Sequence, residues 1–326
     1  MTQRVLVTGG AGFIGAALVV RLLDEGHRVV VLDNMSRGRR SNLESVIDHE
    51  HLHVVEGDVV QPKDVQACYE ALGGIDLVHH LAAVNGTKWF DEAAVHVIDV
   101  NINGTLSVLR HAQDWGARLV VASSPEAFGD ADSMPLRESH VSVFPSAHEH
   151  QRFSYGASKY LDEVALMHAV GQGLDGRIVR PFNAYGPQMV SDAYGQVVGM
   201  MFQAVLDHRP ITVHGDGQQT RSFTWIDDIV DGFYLAGALD QGVDGSSLAG
   251  CSFNLGSTEE VSMLTLAHTI NEVAGSLAVD IVMQGGYPGD SRRRVADCSE
   301  AERRLGWRCR RSLQDGLHAM WSSIQP

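Results

Sequence analysis

The sequence predicts an α/β fold built on a doubly wound parallel sheet, and three observations support this fold class. Short apolar runs alternate with helical patterns in the first half of the chain, a glycine-rich turn follows the first run, and an aspartate ends the second. Strands that helices cover on both faces are apolar along their whole length, as these runs are. Runs that alternate with helices indicate parallel strands joined by helical crossovers.

The elements of the predicted sheet follow one another in β/α order. The strands are predicted over residues 4–8, 28–32, 52–55, 75–81, 118–122 and 176–180. The helices between them are predicted over residues 12–24, 64–72, 93–115 and 155–170. The carboxyl ends of parallel strands meet at one edge of the sheet, which is where open α/β sheets bind their ligands.

Beyond Asn183 the pattern is less regular, which indicates a second lobe. Helices are predicted over residues 227–239, 263–274 and 299–305, and a strand over 253–255. Residues 1–183 form the predicted cofactor-binding domain, with strands near 222–256 as candidates to return to its sheet. Residues 184–326 form the predicted C-terminal substrate lobe. We see no linker between the two parts, so we expect the smaller lobe to be interleaved with the first.

The charge balance narrows the classes of ligand. The chain has 326 residues and a net charge of -15, with 40 Asp and Glu against 25 Lys and Arg. A field of this sign opposes binding to nucleic acid and to anionic membranes. No window approaches about 18 uninterrupted apolar residues, and the N-terminus runs directly into a strand pattern. We therefore expect a soluble, cytoplasmic protein without a membrane span or secretory signal.

Neither a metal site nor a disulfide framework is expected. The 4 cysteines are scattered without a CxxC pair, which is typical of reduced thiols. His79 and His80 end a predicted strand, and His148-Glu149-His150 lies in a predicted loop. Neither group has a third ligand at a suitable spacing.

A dinucleotide-binding turn follows the first predicted strand, in the run VTGGAGFIG at residues 7–15. Gly9 permits a tight turn, Gly12 lets a pyrophosphate approach the backbone, and Gly15 permits close packing of the helix on the sheet. The helix N-terminus supplies N–H groups and a partial positive charge for the phosphates. Three unrelated turn glycines are the weaker interpretation, because the motif lies between a strand and a helix.

Two aspartates at the ends of the next strands extend the predicted cofactor site. Asp33 is placed to accept hydrogen bonds from the adenosine ribose hydroxyls and to repel a 2′-phosphate, which favours NAD over NADP. Arg37 is the opposing signal, since a nearby arginine can accommodate a 2′-phosphate. Asp58 follows the third strand, where it either contacts the adenine or caps a helix.

Tyr155 and Lys159 are the predicted catalytic pair. They are four residues apart and therefore lie on the same face of the predicted helix. The ammonium lowers the pKa of the phenol, so that the phenolate can remove a hydroxyl proton while a hydride leaves the same carbon. The chain contains only three lysines, so a chance lysine at this one spacing is improbable.

Taken together, these motifs resemble an extended short-chain dehydrogenase/reductase of the NAD-dependent nucleotide-sugar epimerase/dehydratase family. The resemblance covers almost the whole chain. Besides the glycine motif and the Tyr–Lys pair, it is carried by residues 33–34, 81–83, 123–124, 180–183, 215–221 and 288–294. Together with the residue-based predictions, it places around the cofactor Gly9, Gly12, Phe13, Ile14, Gly15, Asp33, Asn34, Asp58, Val59, Leu81, Ala82, Ala83, Tyr155 and Lys159.

The same resemblance assigns roles in the substrate site. Ser124 is expected to hydrogen-bond the reacting hydroxyl, and Asn183 to lie near the nicotinamide or the sugar. Arg221 and Arg292 are expected to bind the diphosphate of a sugar nucleotide, since arginine binds phosphate in a bidentate way. Val213 is expected to frame the base. Arg293 and Arg294 are interpreted as structural, and the resemblance implies a homodimer formed through helices near 95–113 and 155–170.

Glu126 helps to distinguish the candidate reactions from one another. The run SPEAFG at residues 124–129 resembles the family's S/T-x-E-x-Y-G pattern. In that family, related decarboxylases and some dehydratases use the glutamate as an acid or base, but some epimerases carry it too. Pro125 stands where 4,6-dehydratases carry an aspartate, which makes dehydration a weaker interpretation of the sequence. Phe128 replaces the usual tyrosine and is expected to reshape the sugar pocket.

The predicted reaction is 4-epimerisation through a transient 4-keto sugar. Decarboxylation and 4,6- or 5,6-dehydration are the alternatives within the family, because both exploit the same ketone. An NAD-binding sensor without activity and a simple carbonyl reductase are more remote alternatives. The first is disfavoured by the pair of Tyr155 and Lys159, and the second by Asp33 and the two phosphate-type arginines.

Overall fold

The computed structural model describes residues 2–148, 153–189, 196–286 and 291–325, and within them a seven-stranded parallel sheet forms the centre of the molecule. The strands in chain order are β1 (Arg4–Thr8), β2 (Arg28–Asp33), β3 (Leu52–Glu56), β4 (Leu77–His80), β5 (Arg118–Ala122), β6 (Gly176–Pro181), β7 (Ala184–Tyr185), β8 (Ile211–His214), β9 (Thr220–Ser222), β10 (Thr224–Trp225), β11 (Ser252–Leu255), β12 (Glu260–Ser262), β13 (Ile281–Gln284) and β14 (Arg293–Arg294). The sheet order is β11-β6-β5-β4-β1-β2-β3, and neighbouring strands are parallel. The predicted α/β fold class is confirmed.

Helices cover both faces of this sheet. In chain order they are α1 (Phe13–Asp24), α2 (Pro62–Leu72), α3 (Thr87–Glu92), α4 (Ala94–Ile98), α5 (Gly104–Trp115), α6 (Ser154–Gly171), α7 (Val197–Leu206), α8 (Ile226–Ala238), α9 (Met263–Ala274), α10 (Ser299–Leu305) and α11 (Leu313–Ile324). A π-helical turn over Asp99–Asn103 joins α4 to α5, so the helix predicted over residues 93–115 is a helical path with an irregular centre. None of the helices that the structure describes is long and apolar enough to span a membrane.

The central strands are buried on both faces, which explains why they are apolar throughout. In β1, Val5 and Val7 belong to the core that α1 and α8 complete, whereas Leu6 belongs to the core that α2, α5 and α6 complete. All three side chains are fully buried. Successive residues of a strand point to opposite faces, so a strand between two helical layers has no polar side to present.

The C-terminal part of the chain contributes to the central sheet as well as to a smaller lobe. Strand β11 pairs with β6, so that Phe253 lies opposite Val179 at the edge of the sheet. Strands β12, β9 and β14 form a separate sheet, and β13 and β8 pair in another. The last strand of the central sheet therefore comes from beyond residue 183, and the smaller sheets lie beside its carboxyl edge, where two cavities open.

Candidate active site

The first cavity, of about 270 Å³, lies at the carboxyl ends of the central strands. We call it the cofactor cavity, because all the residues predicted to surround the cofactor line it. These residues are Gly9, Gly12, Phe13, Ile14, Gly15, Asp33, Asn34, Asp58, Val59, Leu81, Ala82, Ala83, Tyr155 and Lys159. Arg37, the residue that opposed the NAD prediction, lines it too.

The glycine turn has the shape that a dinucleotide requires. Gly9 has a φ of +67°, and a Cβ there would lie 2.7 Å from the backbone nitrogen of Ala82. A Cβ at Gly15 would lie 2.1 Å from the carbonyl oxygen of Gly9. Side chains at these positions would therefore displace the turn, which in their absence leaves the N-terminus of α1 open to a pyrophosphate.

Asp33 holds the turn as well as facing the cavity. Its Oδ2 accepts a hydrogen bond from the backbone nitrogen of Ala11 at 3.0 Å, and its Oδ1 accepts one from that of Met35 at 2.9 Å. Burial raises the pKa of Asp33, and these two backbone bonds oppose that effect. Asn34 donates to Oδ2 of Asp58 at 3.0 Å, so the two predicted adenosine-side residues are joined.

The second cavity, of about 440 Å³, adjoins the first, and we call it the substrate cavity. Ser123, Tyr155 and Pro181 line both. Predicted residues on the wall of the substrate cavity are Ser124, Glu126, Asn183, Val213 and Arg221, together with Tyr155. Tyr155 is thus placed where a nicotinamide ring and a sugar would meet.

The environment of Tyr155 is apolar on one side and charged on the other. The ring is 7% exposed and stacks on Phe90 of α3, with ring centroids 4.9 Å apart and planes 9° apart. Burial raises the pKa of Tyr155, while the Lys159 ammonium and a hydrogen bond with the Ser124 hydroxyl act in the opposite direction. Lys159 is buried on the same helix and also lines the cofactor cavity. The sequence offered no signal for Phe90.

Glu126 lies beside Tyr155 because two backbones approach closely. A short 3-10 helix over Pro125–Phe128 begins at Ser124, whose hydroxyl accepts from the backbone nitrogen of Glu126 at 3.2 Å. A Cβ at Gly156 would lie 2.4 Å from the carbonyl oxygen of Glu126, so glycine at that position lets α6 lie against this turn.

Arg294 is a residue of the substrate cavity that sequence reasoning missed. It was interpreted as structural, but its guanidinium forms an ion pair with Glu126 and lines the cavity. Its side chain is 7% exposed, and its buried Nη2 has no hydrogen-bond partner among the described residues. Glu126 and Arg294 are 168 positions apart in sequence, so no local pattern could have joined them.

Of the three remaining predicted substrate residues, Asn183 and Arg221 line the substrate cavity and Arg292 does not. Asn183 adopts a left-handed conformation with a φ of 39°, and its amide donates to the carbonyl oxygen of Ser222 at 2.7 Å. Arg221 donates to the carbonyl oxygen of Thr220 at 2.7 Å and lines the cavity. Arg292 is not among the lining residues, since its side chain is 81% exposed and pairs with Asp216 at 3.5 Å.

The expectation that Phe128 reshapes the sugar pocket is not supported, because Phe128 lines neither cavity. Its ring is 2% exposed and packs with Leu136 and Phe182 behind the site. The Arg180 guanidinium lies 4.7 Å from the ring centroid.

The two histidines at the end of β4 lie in the interior of the fold. His79 and His80 are buried, and burial lowers the pKa of each to about 3, so both rings are neutral. Within the described ranges, no group of three His, Cys, Asp or Glu side chains could hold a metal ion. Glu149 and His150 of the His148 loop lie outside the described residues.

Comparison with known proteins agrees with this geometry. Residues 5–256 match the model of the "NAD dependent epimerase/dehydratase family". The chain is 33% identical over 322 residues to UDP-glucuronic acid decarboxylase 1 of Arabidopsis thaliana, an alignment that covers 99% of this chain and 70% of the relative.

Solved structures give the same family. UDP-glucose 4-epimerase of Thermotoga maritima, solved with UDP-glucose, superposes with a TM-score of 0.88 at 26% identity, covering 99% of this chain and 98% of that one. The dTDP-glucose 4,6-dehydratase DesIV of Streptomyces venezuelae, solved with NAD, has a TM-score of 0.85 at 28% identity and covers 99% and 97%. The chain therefore belongs to the NAD-dependent epimerase/dehydratase family of extended short-chain dehydrogenases/reductases, and it is an NAD-dependent enzyme.

Proposed function

We propose that this enzyme decarboxylates a nucleotide-linked uronic acid, with UDP-glucuronic acid as the first candidate substrate. The observation that carries the proposal is the buried Arg294 guanidinium beside Glu126 in the substrate cavity. Relatives named as UDP-glucuronic acid decarboxylases support it, since they are similar to this chain over almost its whole length. This proposal replaces simple 4-epimerisation as the preferred reaction.

The charge of the substrate cavity fits a substrate with several negative groups. Its described lining contains three arginines, Arg209, Arg221 and Arg294, against Glu126 as the one carboxylate, although Arg209 also pairs with Asp207 outside the lining. The protein as a whole has a net charge of -15, so this local excess of positive charge runs against the general field. A sugar nucleotide brings a diphosphate, and a uronic acid adds a carboxylate at C6.

Glu126 alone would repel a C6 carboxylate. Two like charges about 4 Å apart interact by about 4 kcal/mol at the effective dielectric of a protein surface. The ion pair with Arg294 offsets the charge of Glu126. The Arg294 guanidinium lines the cavity, where its positive charge favours an incoming carboxylate.

Bound NAD would supply the hydride acceptor and donor for the sugar C4, held by the residues of the cofactor cavity. Tyr155 is the proposed base that takes the C4 hydroxyl proton, with Ser124 and Lys159 stabilising the phenolate. A C4 ketone is β to the C6 carboxylate, so the C5–C6 bond breaks with loss of carbon dioxide and the electron pair moves to the C4 oxygen. A proton from water would be added at C5, and Tyr155 would return its proton to the C4 oxygen as the ketone is reduced.

Epimerisation remains the second candidate, because the solved neighbours include UDP-glucose 4-epimerases. It needs hydride removal and return and no group that contacts a C6 carboxylate. Dehydration is less well supported: it needs an acid and a base at C5 and C6, and Glu126 is the one carboxylate of the described lining. Pro125 stands where a second acid would be needed.

A homodimer is part of the proposal. Helix α6 exposes Tyr160, Leu161, Val164 and Met167, each between 41% and 47% accessible. Val95 of the neighbouring α4 is 81% exposed. An apolar stripe of this kind on adjacent helices is typical of a surface that a second copy covers.

The proposal is tested by incubating the protein and NAD with UDP-glucuronic acid and, separately, UDP-glucose, and by following the products by mass spectrometry and NMR. We expect UDP-glucuronic acid to lose the mass of carbon dioxide and UDP-glucose to remain unconverted. An epimer of unchanged mass formed from UDP-glucose, with no reaction of UDP-glucuronic acid, would show that the enzyme is an epimerase.

Arg294 provides the specific variant. Arg294→Gln should lower the rate of carbon dioxide release by about 10²-fold, since losing one partner of a buried charge pair costs about 2–5 kcal/mol. Arg293→Gln is the matched control, because Arg293 is the preceding residue, is 51% exposed and pairs with Glu260 outside the substrate cavity. Equal rates in the two variants would remove Arg294 from the proposal.

A further inference from the structure

Asp162 is a buried acid next to the proposed catalytic pair that neither the motifs nor the proposed reaction uses. It lies one turn after Lys159 in α6, and the Lys159 ammonium donates to its Oδ2 at 3.2 Å. The two side chains are 2% and 1% exposed. Taking two charges out of water is expensive unless further hydrogen bonds satisfy them, so the partners of Asp162 need an explanation.

Behind the pair of Lys159 and Asp162, a hydrogen-bond chain of one histidine and two threonines connects β4, β1 and α5. His80, at the end of β4, lies between two hydroxyls: its Nδ1 is 2.7 Å from Oγ1 of Thr8 in β1, and its Nε2 is 3.0 Å from Oγ1 of Thr105 in α5. The Thr105 hydroxyl lies against the Asp162 carboxylate and lowers its pKa, opposing the effect of burial.

The His80 ring is neutral, because burial lowers its pKa to about 3. One of its nitrogens therefore donates and the other accepts, and the two threonine hydroxyls can satisfy both nitrogens in either tautomer. The backbone nitrogen of Ala82 donates to Oγ1 of Thr8 at 3.3 Å. His80 therefore adds no second positive charge next to Lys159, whose ammonium is the cation paired with Asp162.

One end of this chain lies at the cofactor cavity and the other at the catalytic ammonium. Ala82 lines the cofactor cavity, as does Lys159. An ammonium has three N–H donors. With one donated to Asp162, two can be directed to the ribose of the cofactor and towards Tyr155.

We infer that Asp162 is a positioning residue for the catalytic pair: its carboxylate, paired with Lys159 in the interior of the fold, fixes the Lys159 ammonium and partly offsets its charge at Tyr155. The inference rests on the proposed roles of Tyr155 and Lys159. It does not depend on which product forms, because decarboxylation and epimerisation share the C4 oxidation.

The charged groups around Tyr155 determine in which direction the loss of Asp162 shifts the pKa of Tyr155. Lys159 and Asp162 face it from its own helix, and Glu126 faces it from the turn after β5, where Arg294 of β14 pairs with Glu126. Asp162 is in turn approached by Glu163 of α6, and the His80 ring behind Thr105 is neutral. Removing the negative charge of Asp162 leaves Lys159 unopposed, so Tyr155 should lose its proton at lower pH.

The test titrates Tyr155 directly and needs no sugar nucleotide. The near-ultraviolet absorbance of tyrosinate is followed against pH in the NAD-bound protein, and the same titration of Tyr155→Phe is subtracted to isolate Tyr155. We expect Asp162→Asn to lower the midpoint by about half a pH unit or more, as for the loss of a nearby charge. The maximal rate of C4 oxidation should fall as well, because the ammonium is less firmly held.

Two further variants separate this role from a structural one. Asp162→Glu keeps the charge and should leave the midpoint close to that of the unmodified protein. Asp175→Asn is the matched control, because Asp175, like Asp162, pairs with cationic side chains, those of Arg118 and Arg177, but lies at the amino end of β6. It should change the stability of the fold and not the midpoint.

The outcomes are distinct. A lower midpoint in Asp162→Asn alone supports the inference. Three results would make Asp162 structural and overturn the inference. They are an unchanged midpoint with a lower rate, an equal shift in Asp162→Glu, and a chain that folds with neither Asn nor Ala at position 162. Failure to convert any sugar nucleotide would contradict the proposed function without altering the titration.

Discussion

The cofactor cavity and the substrate cavity share Tyr155 but are built by different means. The cofactor cavity is shaped largely by backbone, since a Cβ at Gly9 or Gly15 would meet main-chain atoms of Ala82 or Gly9. The substrate cavity is shaped by charged side chains from separate elements, such as Glu126 after β5 and Arg294 in β14. Backbone shape is specific for a whole class of cofactor, whereas the placement of a few charges selects one substrate.

The largest effect should come from adding a side chain to the backbone-built cavity. In Gly15→Ala, the new Cβ would lie 2.1 Å from the carbonyl oxygen of Gly9. A main-chain clash of this kind costs about 4 kcal/mol or more, which is about 10³-fold in NAD affinity if the turn must move. Isothermal titration with NAD measures it. Gly171→Ala in α6, where a Cβ meets nothing within 4 Å, is the control and should bind NAD normally.

Tyr155, which lines both cavities, should affect chemistry and not binding. Tyr155→Phe keeps the ring and its stacking on Phe90 but removes the oxygen that takes the proton. Turnover should fall by about 10²-fold or more, the usual effect of losing an acid–base group. NAD affinity, measured in the same protein, should be nearly unchanged. Turnover close to that of the unmodified protein would remove Tyr155 from the role of base.

Asp33→Ala should change coenzyme binding less than Gly15→Ala does. The Asp33 carboxylate has two roles, since it faces the cofactor and also holds the backbone of the turn. Asp33→Ala removes the acceptor for the ribose and also the anchor of Ala11 and Met35. We expect the preference for NAD over NADP to fall by about tenfold, mainly through weaker NAD binding, since hydrogen bonds to a charged group contribute about 1.5–3 kcal/mol. Comparing the dissociation constants of both coenzymes checks this. A large gain in NADP affinity would show that Asp33 acts chiefly by repulsion.

The last effect concerns the stability of the fold behind both cavities and not binding or turnover. His79 is neutral in the fold with a pKa lowered to about 3 by burial, whereas an unfolded histidine takes up a proton below about pH 6.5. The free energy of unfolding should therefore fall as the pH drops from about 6.5 towards 3, by up to about 1.4 kcal/mol per pH unit for this residue. His79→Leu should reduce the slope of the unfolding free energy against pH. Urea unfolding at pH 7 and at pH 5 measures this slope. The same replacement at exposed His318 should leave the slope unchanged.

The parts of the molecule that the sequence predicted are those that local chemistry determines. The glycine turn and the pair of Tyr155 and Lys159 depend on spacing within one strand–helix unit or one helix. Arg294 depends on a contact between distant segments, and the run of three arginines at 292–294 does not show which of them points inward. In the structure Arg293 is exposed and pairs with Glu260, while Arg294 is buried at Glu126.

Two helices of the C-terminal half were not predicted, for physical reasons. Helix α7 is almost entirely apolar, so it shows no alternation of faces that would identify a helix. Helix α11 contains Gly316, which weakens a helical pattern. A Cβ at Gly316 would lie 1.9 Å from the Tyr185 hydroxyl, so this glycine is required by packing that cannot be read from the helix itself.

The position of β11 has a consequence for how the protein is made. Residues 252–255 form the edge strand beside β6, so β6 has no neighbour on that side until the ribosome has synthesised more than three quarters of the chain. Until then, a growing chain carries an unpaired strand edge and the apolar surface that Phe253 and Leu255 later cover. Translation that stalls shortly after β6 should therefore leave an aggregation-prone nascent chain, and a gene truncated at residue 183 should not yield a stable NAD-binding module.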